Sequence, residues 1–145
     1  MRRPMTEEER WRDLVGGFIL TFGEIELFTY HIWSEYLHGQ KPPRLFASRT
    51  KALIAALQEN LIDHKQTINA LNDALSLAKK RNTIAHNPTM VEVFEHTQTG
   101  ETLVRRAVFS RRSDEFIDDA ELQELIGAAE DIVVRLYRKY EMPRR

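Results

Sequence analysis

Cysteine is absent from this chain. Disulfide staples, thiolate zinc sites and cysteine nucleophiles are therefore excluded. Long apolar runs are missing too. The most apolar stretch, Leu14 to Ile25, is broken by Gly16, Gly17, Gly23 and Glu24, whereas crossing a bilayer takes about 20 consecutive apolar residues. The opening segment, MRRPMTEEERWRD, carries charge where a signal peptide would carry an apolar core. The expectation is a cytoplasmic protein with no membrane attachment. No glycine-rich phosphate loop is present. His38, His64 and His96 lack ligand-like spacing, so no metal and no cofactor are expected. A formal net charge of -1 gives no global field that would draw the chain to nucleic acid.

What is there reads as helices. A chain of 145 residues fits one domain, spanning 1–145, with a core of its own. Thr6 followed by Glu9 forms a capping box, and Glu7 and Glu8 suit the first turn of a helix. Leu14, Phe18, Phe22, Ile25, Ile32 and Tyr36 then recur at helical spacing and define a buried face that Thr29 interrupts. A second line runs through Gly17, Leu20, Glu24, Leu27 and His31, as in a helix that packs on two sides. Gly16, Gly17 and Gly23 cost helix propensity, about 1 kcal/mol each relative to alanine. Close helix–helix approach is the expected compensation. The helix should end near Leu37 to Gly39, before Pro42 and Pro43.

Helix two is expected from Arg44 to Asn60, with Phe46, Leu53, Ala56 and Leu57 inward. Helix three should start with Asp63 as its cap and carry a stripe of Ile68, Leu71, Leu75, Ala78 and Ala85. Pro88 disfavours helical dihedrals at Asn87, which stops it near His86. The period then changes. Thr89 to Glu95 and Leu103 to Phe109 flank the turn HTQTGET and predict an antiparallel hairpin. A last helix, from Asp118 or Asp119 to about Tyr140, presents Leu122, Leu125, Ile126, Ala129, Ile132, Val133 and Leu136. The fold class is mainly α: a four-helix bundle with one β-hairpin inserted before the last helix. Trp11 and Trp33 read as core residues, not base-stacking platforms.

The stretch KKRNTIAHNP carries the chemistry. Asn82 and His86 are four apart and share a helix face, so the amide can orient the imidazole. Arg81 and His86 lie about 140° apart on a regular helix and would not converge on one phosphate. If His86 leaves the helical track at the helix end, the two can meet in a cleft, or they meet their copies across a two-fold axis. Lys79-Lys80-Arg81, Arg105-Arg106 and Arg111-Arg112 are three basic groups that would form a phosphate-binding surface if the fold joined them. The plainer reading is three solvated faces. Arg81, Asn82 and His86 can equally be helix-end residues that cap carbonyls.

The segment RNTIAH resembles the Arg-polar-x-x-x-His motif of the HEPN superfamily (higher eukaryotes and prokaryotes nucleotide-binding domains). Gly23 to Trp33 resembles the first long helix of such domains. The resemblance implies a homodimer in which both copies of the motif line one cleft. It implies metal-independent cleavage of RNA, or RNA binding, with Arg81, His86 and Asn82 as the catalytic residues. Lys80, Arg105 and Arg106 become candidate binding residues, and Glu24 a candidate to orient Arg81 at the seam. The family setting is a toxin–antitoxin or defence system, with an antitoxin or a nucleotidyltransferase as partner. One toxin group carries a modified tyrosine two residues after the histidine, and here that position is Pro88. The competing expectation is a non-catalytic helical dimer that serves as a protein interaction module. A small-ligand-binding bundle is a third.

Overall fold

The computed structural model describes residues 2–140, and side chains as far as residue 138. Four helices and a three-stranded sheet follow in the order α1 (Glu7–Tyr36), α2 (Phe46–Glu59), α3 (Lys65–His86), β1 (Thr89–Glu95), β2 (Thr102–Ser110), β3 (Glu115–Asp118) and α4 (Asp119–Tyr140). The mainly helical class with a β insertion before the last helix is therefore the observed one. Lys139 is a basic residue near the end of α4, and its side chain lies outside the described residues.

The N-terminus of α1 is set by the expected capping box. Thr6 Oγ1 accepts from the Glu9 amide at 3.1 Å, and the Glu9 carboxylate accepts from the Thr6 amide at 2.8 Å. Phe18, Phe22, Ile25 and Ile32 are then buried along one side of the helix. They meet Leu53 and Leu57 of α2, Leu71 and Ala74 of α3, and Leu122, Ala129, Ile132 and Leu136 of α4 in one continuous core. Both tryptophans belong to it, and each indole N–H has a partner: Trp11 donates to Thr89 Oγ1 at 3.2 Å and Trp33 to the Gln40 carbonyl at 2.8 Å. The first of these pins the start of β1 to the start of α1.

Thr29, the polar break in the buried face, is explained by a residue on α2. Arg49 is 1% exposed. Its Nε donates to Thr29 Oγ1 at 2.8 Å, while one terminal nitrogen donates to the Tyr30 hydroxyl and to the carbonyls of Pro43 and Arg44 at 2.9–3.1 Å. The guanidinium also lies 3.8 Å from the centre of the Tyr30 ring. A buried cation is stabilised when its donors are satisfied, and here oxygens and an aromatic face do so. The same bonds tie the α1–α2 connection to α1.

The sheet has the order β1-β2-β3 with both pairs antiparallel. Glu92 stands opposite Arg105 and Val91 opposite Arg106, and Val108 stands opposite Ile117. Val108 and Ile117 are buried and join the helical core, so the base of the hairpin leans on the helices as an isolated hairpin must. β1 is exposed along almost all its length.

Four expectations need correction. The insertion has a third strand: β3 is only four residues long and follows a turn in which Asp114 takes φ 52°. Too short to show an alternating pattern, it read as the approach to α4. Second, Asp63 is not the N-cap of α3; His64 holds that position, although Asp63 Oδ1 still accepts from the Lys65 amide at 2.9 Å. Third, Ala85 is exposed and Ile84 is buried. The buried face shifts where α3 leaves its helical neighbours and meets the sheet. Fourth, Gly16 and Gly23 have no neighbour within 4 Å of an ideal Cβ, and Gly17 meets only Ile126 at 3.9 Å. Among the described residues a helix of the same chain therefore comes into contact range only at Gly17, and none does at Gly16 or Gly23.

Candidate functional site at the end of helix three

The motif occupies the last turns of α3. The chain leaves the helix at Asn87, in extended conformation, because Pro88 follows. Asn87 itself donates to the Thr83 carbonyl at 2.8 Å and closes the helix end. His86 is the last helical residue. It stays in the helical track, so the separation of about 140° from Arg81 persists. The swing that would bring Arg81 and His86 together within one copy is not what the structure holds.

Asn82 and His86 are both exposed on one flank of the helix. No hydrogen bond joins them among the described residues. Arg81 points the other way, toward α1. Its guanidinium lies 5.0 Å from the centre of the Phe22 ring and 3.2 Å from Glu26 Oε1. Its Nε is shielded from solvent and has no hydrogen-bond partner among the described residues. The acid beside Arg81 is thus Glu26 and not Glu24, which is exposed on the open side of α1. Four-residue spacing from the buried Phe22 was the available signal for Glu26.

Lys80 is committed elsewhere. Its ammonium pairs with Glu115 on β3 and with Glu121 on α4, the latter at 3.0 Å. Thr83 Oγ1 donates to the second oxygen of Glu115 at 2.9 Å. Hydrogen bonds from Lys80 and then Thr83 hold the Glu115 carboxyl below the usual carboxylate range, and Glu115 raises Lys80 in turn. Lys80, Thr83 and Glu115 form a clasp that holds the motif-bearing turns against the sheet. Nothing in the spacing of Glu115 revealed it, since the strand that carries it was not recognised.

The arginines of β2 are engaged as well. Arg105 lies 4.1 Å from the centre of the Phe116 ring and 3.5 Å from Asp118 Oδ2. Arg106 reaches Glu7 at 3.6 Å. Lys80, Arg81, Arg105 and Arg106 each face an acid, which weakens the idea of one phosphate-binding surface made from the basic groups. Arg111 and Arg112 stand exposed in the β2–β3 turn.

One face of α1 is uncovered. Ile19, Leu20, Leu27 and Tyr30 are exposed there, with Gly16, Gly23, Glu24 and His31 among them. Glu26 and Phe22, which hold Arg81, border this stripe. Among the described residues no group of three His, Asp or Glu could hold a metal ion. No helix among them is long and apolar enough to cross a membrane. No family model, curated protein or solved structure matches the chain.

Proposed function

We propose that the protein acts on RNA as a homodimer, with Arg81, Asn82 and His86 of both copies forming one HEPN-like cleft. The observation that carries this reading is the arrangement around α3. Asn82 and His86 stand free on its last turn, while Arg81 is braced by Glu26 and Phe22 beside the uncovered stripe of α1. A second copy laid on that stripe covers Leu20 and Leu27 and uses the open space at Gly16 and Gly23. It also supplies the second motif, which matters because Arg81 and His86 diverge within one copy.

The chemistry follows from the residue types. Imidazole exchanges protons near neutral pH and takes the proton of a ribose 2'-hydroxyl. The 2'-oxygen then attacks the adjacent phosphorus, the bond to the 5'-oxygen breaks, and an imidazolium, the one just formed or that of the other copy, protonates that leaving group. A guanidinium binds the phosphate oxygens and stabilises the charge that builds on them. Arg81 must share or release Glu26 to do so. An RNA substrate implies work in the cytoplasm. A toxin–antitoxin or defence role, with an antitoxin or nucleotidyltransferase as partner, is the setting this reading carries.

Incubating purified protein with mixed RNA tests it. Cleavage should persist in excess chelator, leave 2',3'-cyclic phosphate ends, and fall about 10²–10⁴-fold in His86→Ala. Equal cleavage by wild type and variant would assign the activity to a contaminant. A His86→Ala chain that fails to fold would make His86 a structural residue.

A second reading has its own support. Arg81 and Lys80 are already neutralised by Glu26, Glu115 and Glu121, as in a helical dimer that binds other proteins and cleaves nothing. That reading predicts a dimer in light scattering with no RNA cleavage. Leu20→Arg with Leu27→Arg should yield a folded monomer under either reading. A dimer that survives both charges would move the interface off α1.

A further inference from the structure

We infer that the open edge of β1 is a docking site for an extended segment of a partner protein, one that alternates Lys or Arg with apolar residues. β1 is the outer strand of the sheet and pairs on one side only. Natural edge strands are usually guarded by lysine, proline or a bulge, because a bare edge is a template for another strand. This edge has no lysine, proline or bulge, and its charged residues are Glu92 and Glu95 alone. No proline, lysine or arginine occurs between Thr89 and Val104, and the β1–β2 register runs without interruption from Thr89 to Glu95.

Neither side of the strand is covered. Val91 and Val93 on one face are 55% and 65% exposed, and Phe94 on the other is 48% exposed. Leu103, paired with Phe94, is 65% exposed. An added strand would meet apolar side chains on both faces as well as the free backbone edge, which is how strand addition combines affinity with selectivity.

Charge selects the occupant. Glu92, Glu95 and Glu101 are the only charged residues of the acid and base types from Thr89 to Val104. Arg105 stands opposite Glu92 but leans the other way, onto Phe116 and Asp118. A second copy of β1 would bring its own glutamates against these, and like charges across an interface are unfavourable. An RNA backbone is repelled for the same reason. A basic, alternating segment is favoured on both counts. This inference does not rest on the proposed RNA chemistry.

The test uses the whole protein and a capped, fluorescein-labelled peptide of about eight residues, the span of an ordinary strand, that alternates Lys with Val. Binding is read by anisotropy and mapped by amide hydrogen exchange. The peptide should bind and slow exchange in residues 89–95. A peptide with Glu in place of Lys should bind about tenfold more weakly or not at all. Glu92→Lys with Glu95→Lys should weaken the Lys peptide by a similar factor and leave thermal unfolding unchanged.

No binding, or equal binding of both peptides, overturns the inference. So does protection that maps away from β1. If the protein alone self-associates and the double variant abolishes it, the occupant is a second copy instead. If an RNA oligonucleotide displaces the peptide from β1, the edge is a nucleic-acid surface and the inference fails.

Discussion

Arg49 and Arg81 sit in comparable places and do different things. Each projects from its own helix onto an aromatic ring of α1, Arg49 onto Tyr30 and Arg81 onto Phe22. Arg49 is fully buried, and its donors end on a hydroxyl of α1, the Tyr30 phenol and two carbonyls of the α1–α2 connection. Its Nε and one terminal nitrogen are thus committed within the fold. Arg81 keeps 26% of its side chain in solvent, has one carboxylate 3.2 Å away and a shielded Nε without a partner. Full burial with several donors held by oxygens of the fold makes a cation part of that fold. Partial burial with incomplete satisfaction leaves it free to exchange partners, which a phosphate-binding residue requires.

The largest effect should come from the buried arginine. Arg49→Ala strands the Pro43 and Arg44 carbonyls and empties a space beside Tyr30, and should cost about 3–5 kcal/mol in denaturant unfolding. A loss below about 1 kcal/mol would mean that water replaces the guanidinium and that the two arginines differ little. Arg81→Ala should show the opposite profile. Stability should change by less than about 1 kcal/mol, since its ion pair is partly exposed, while RNA cleavage should fall about 10²–10³-fold. Unfolding of this variant would make Arg81 a second Arg49.

The smallest effect concerns the clasp. Glu115→Gln should cost about 1 kcal/mol at neutral pH. The sign follows from the shifts: Glu115 is held below its ordinary value, so its contribution is present above that value and lost as pH falls through the folded one. Lys80 is raised, so its contribution is present below its ordinary value and lost at still higher pH. The gap between wild type and variant in unfolding free energy should therefore close in acid. A gap that stays constant in acid would assign the effect to packing.

Helical periodicity made the helices legible, because Phe18, Phe22, Ile25 and Ile32 repeat often enough to fix a face. Thr6 and Glu9 carried the start of α1 in their types alone. The hairpin was legible from the change of period after Pro88. β3 was not, since four residues carry too little alternation and Asp114 gives only a weak turn signal. Arg49 was hidden for a different reason. An arginine on a helix reads as solvent-facing, and its buried role depends on Thr29 and on carbonyls of a distant loop. Of the candidate site, the placement of Arg81, Asn82 and His86 at a helix end was readable. The partners of Arg81 and Lys80 were not, because Glu26 and Glu115 reach them only through tertiary packing.

The claim that two copies build one site can be tested by mixing. Arg81→Ala and His86→Ala proteins are each nearly inactive if the account holds. Unfolded and refolded together, they form dimers with one intact arginine and one intact histidine, contributed by different chains. The account predicts RNA cleavage in the mixture about tenfold or more above either parent, well within the 10²-fold or greater losses expected of the single variants. A mixture no more active than the sum of its parents would contradict it.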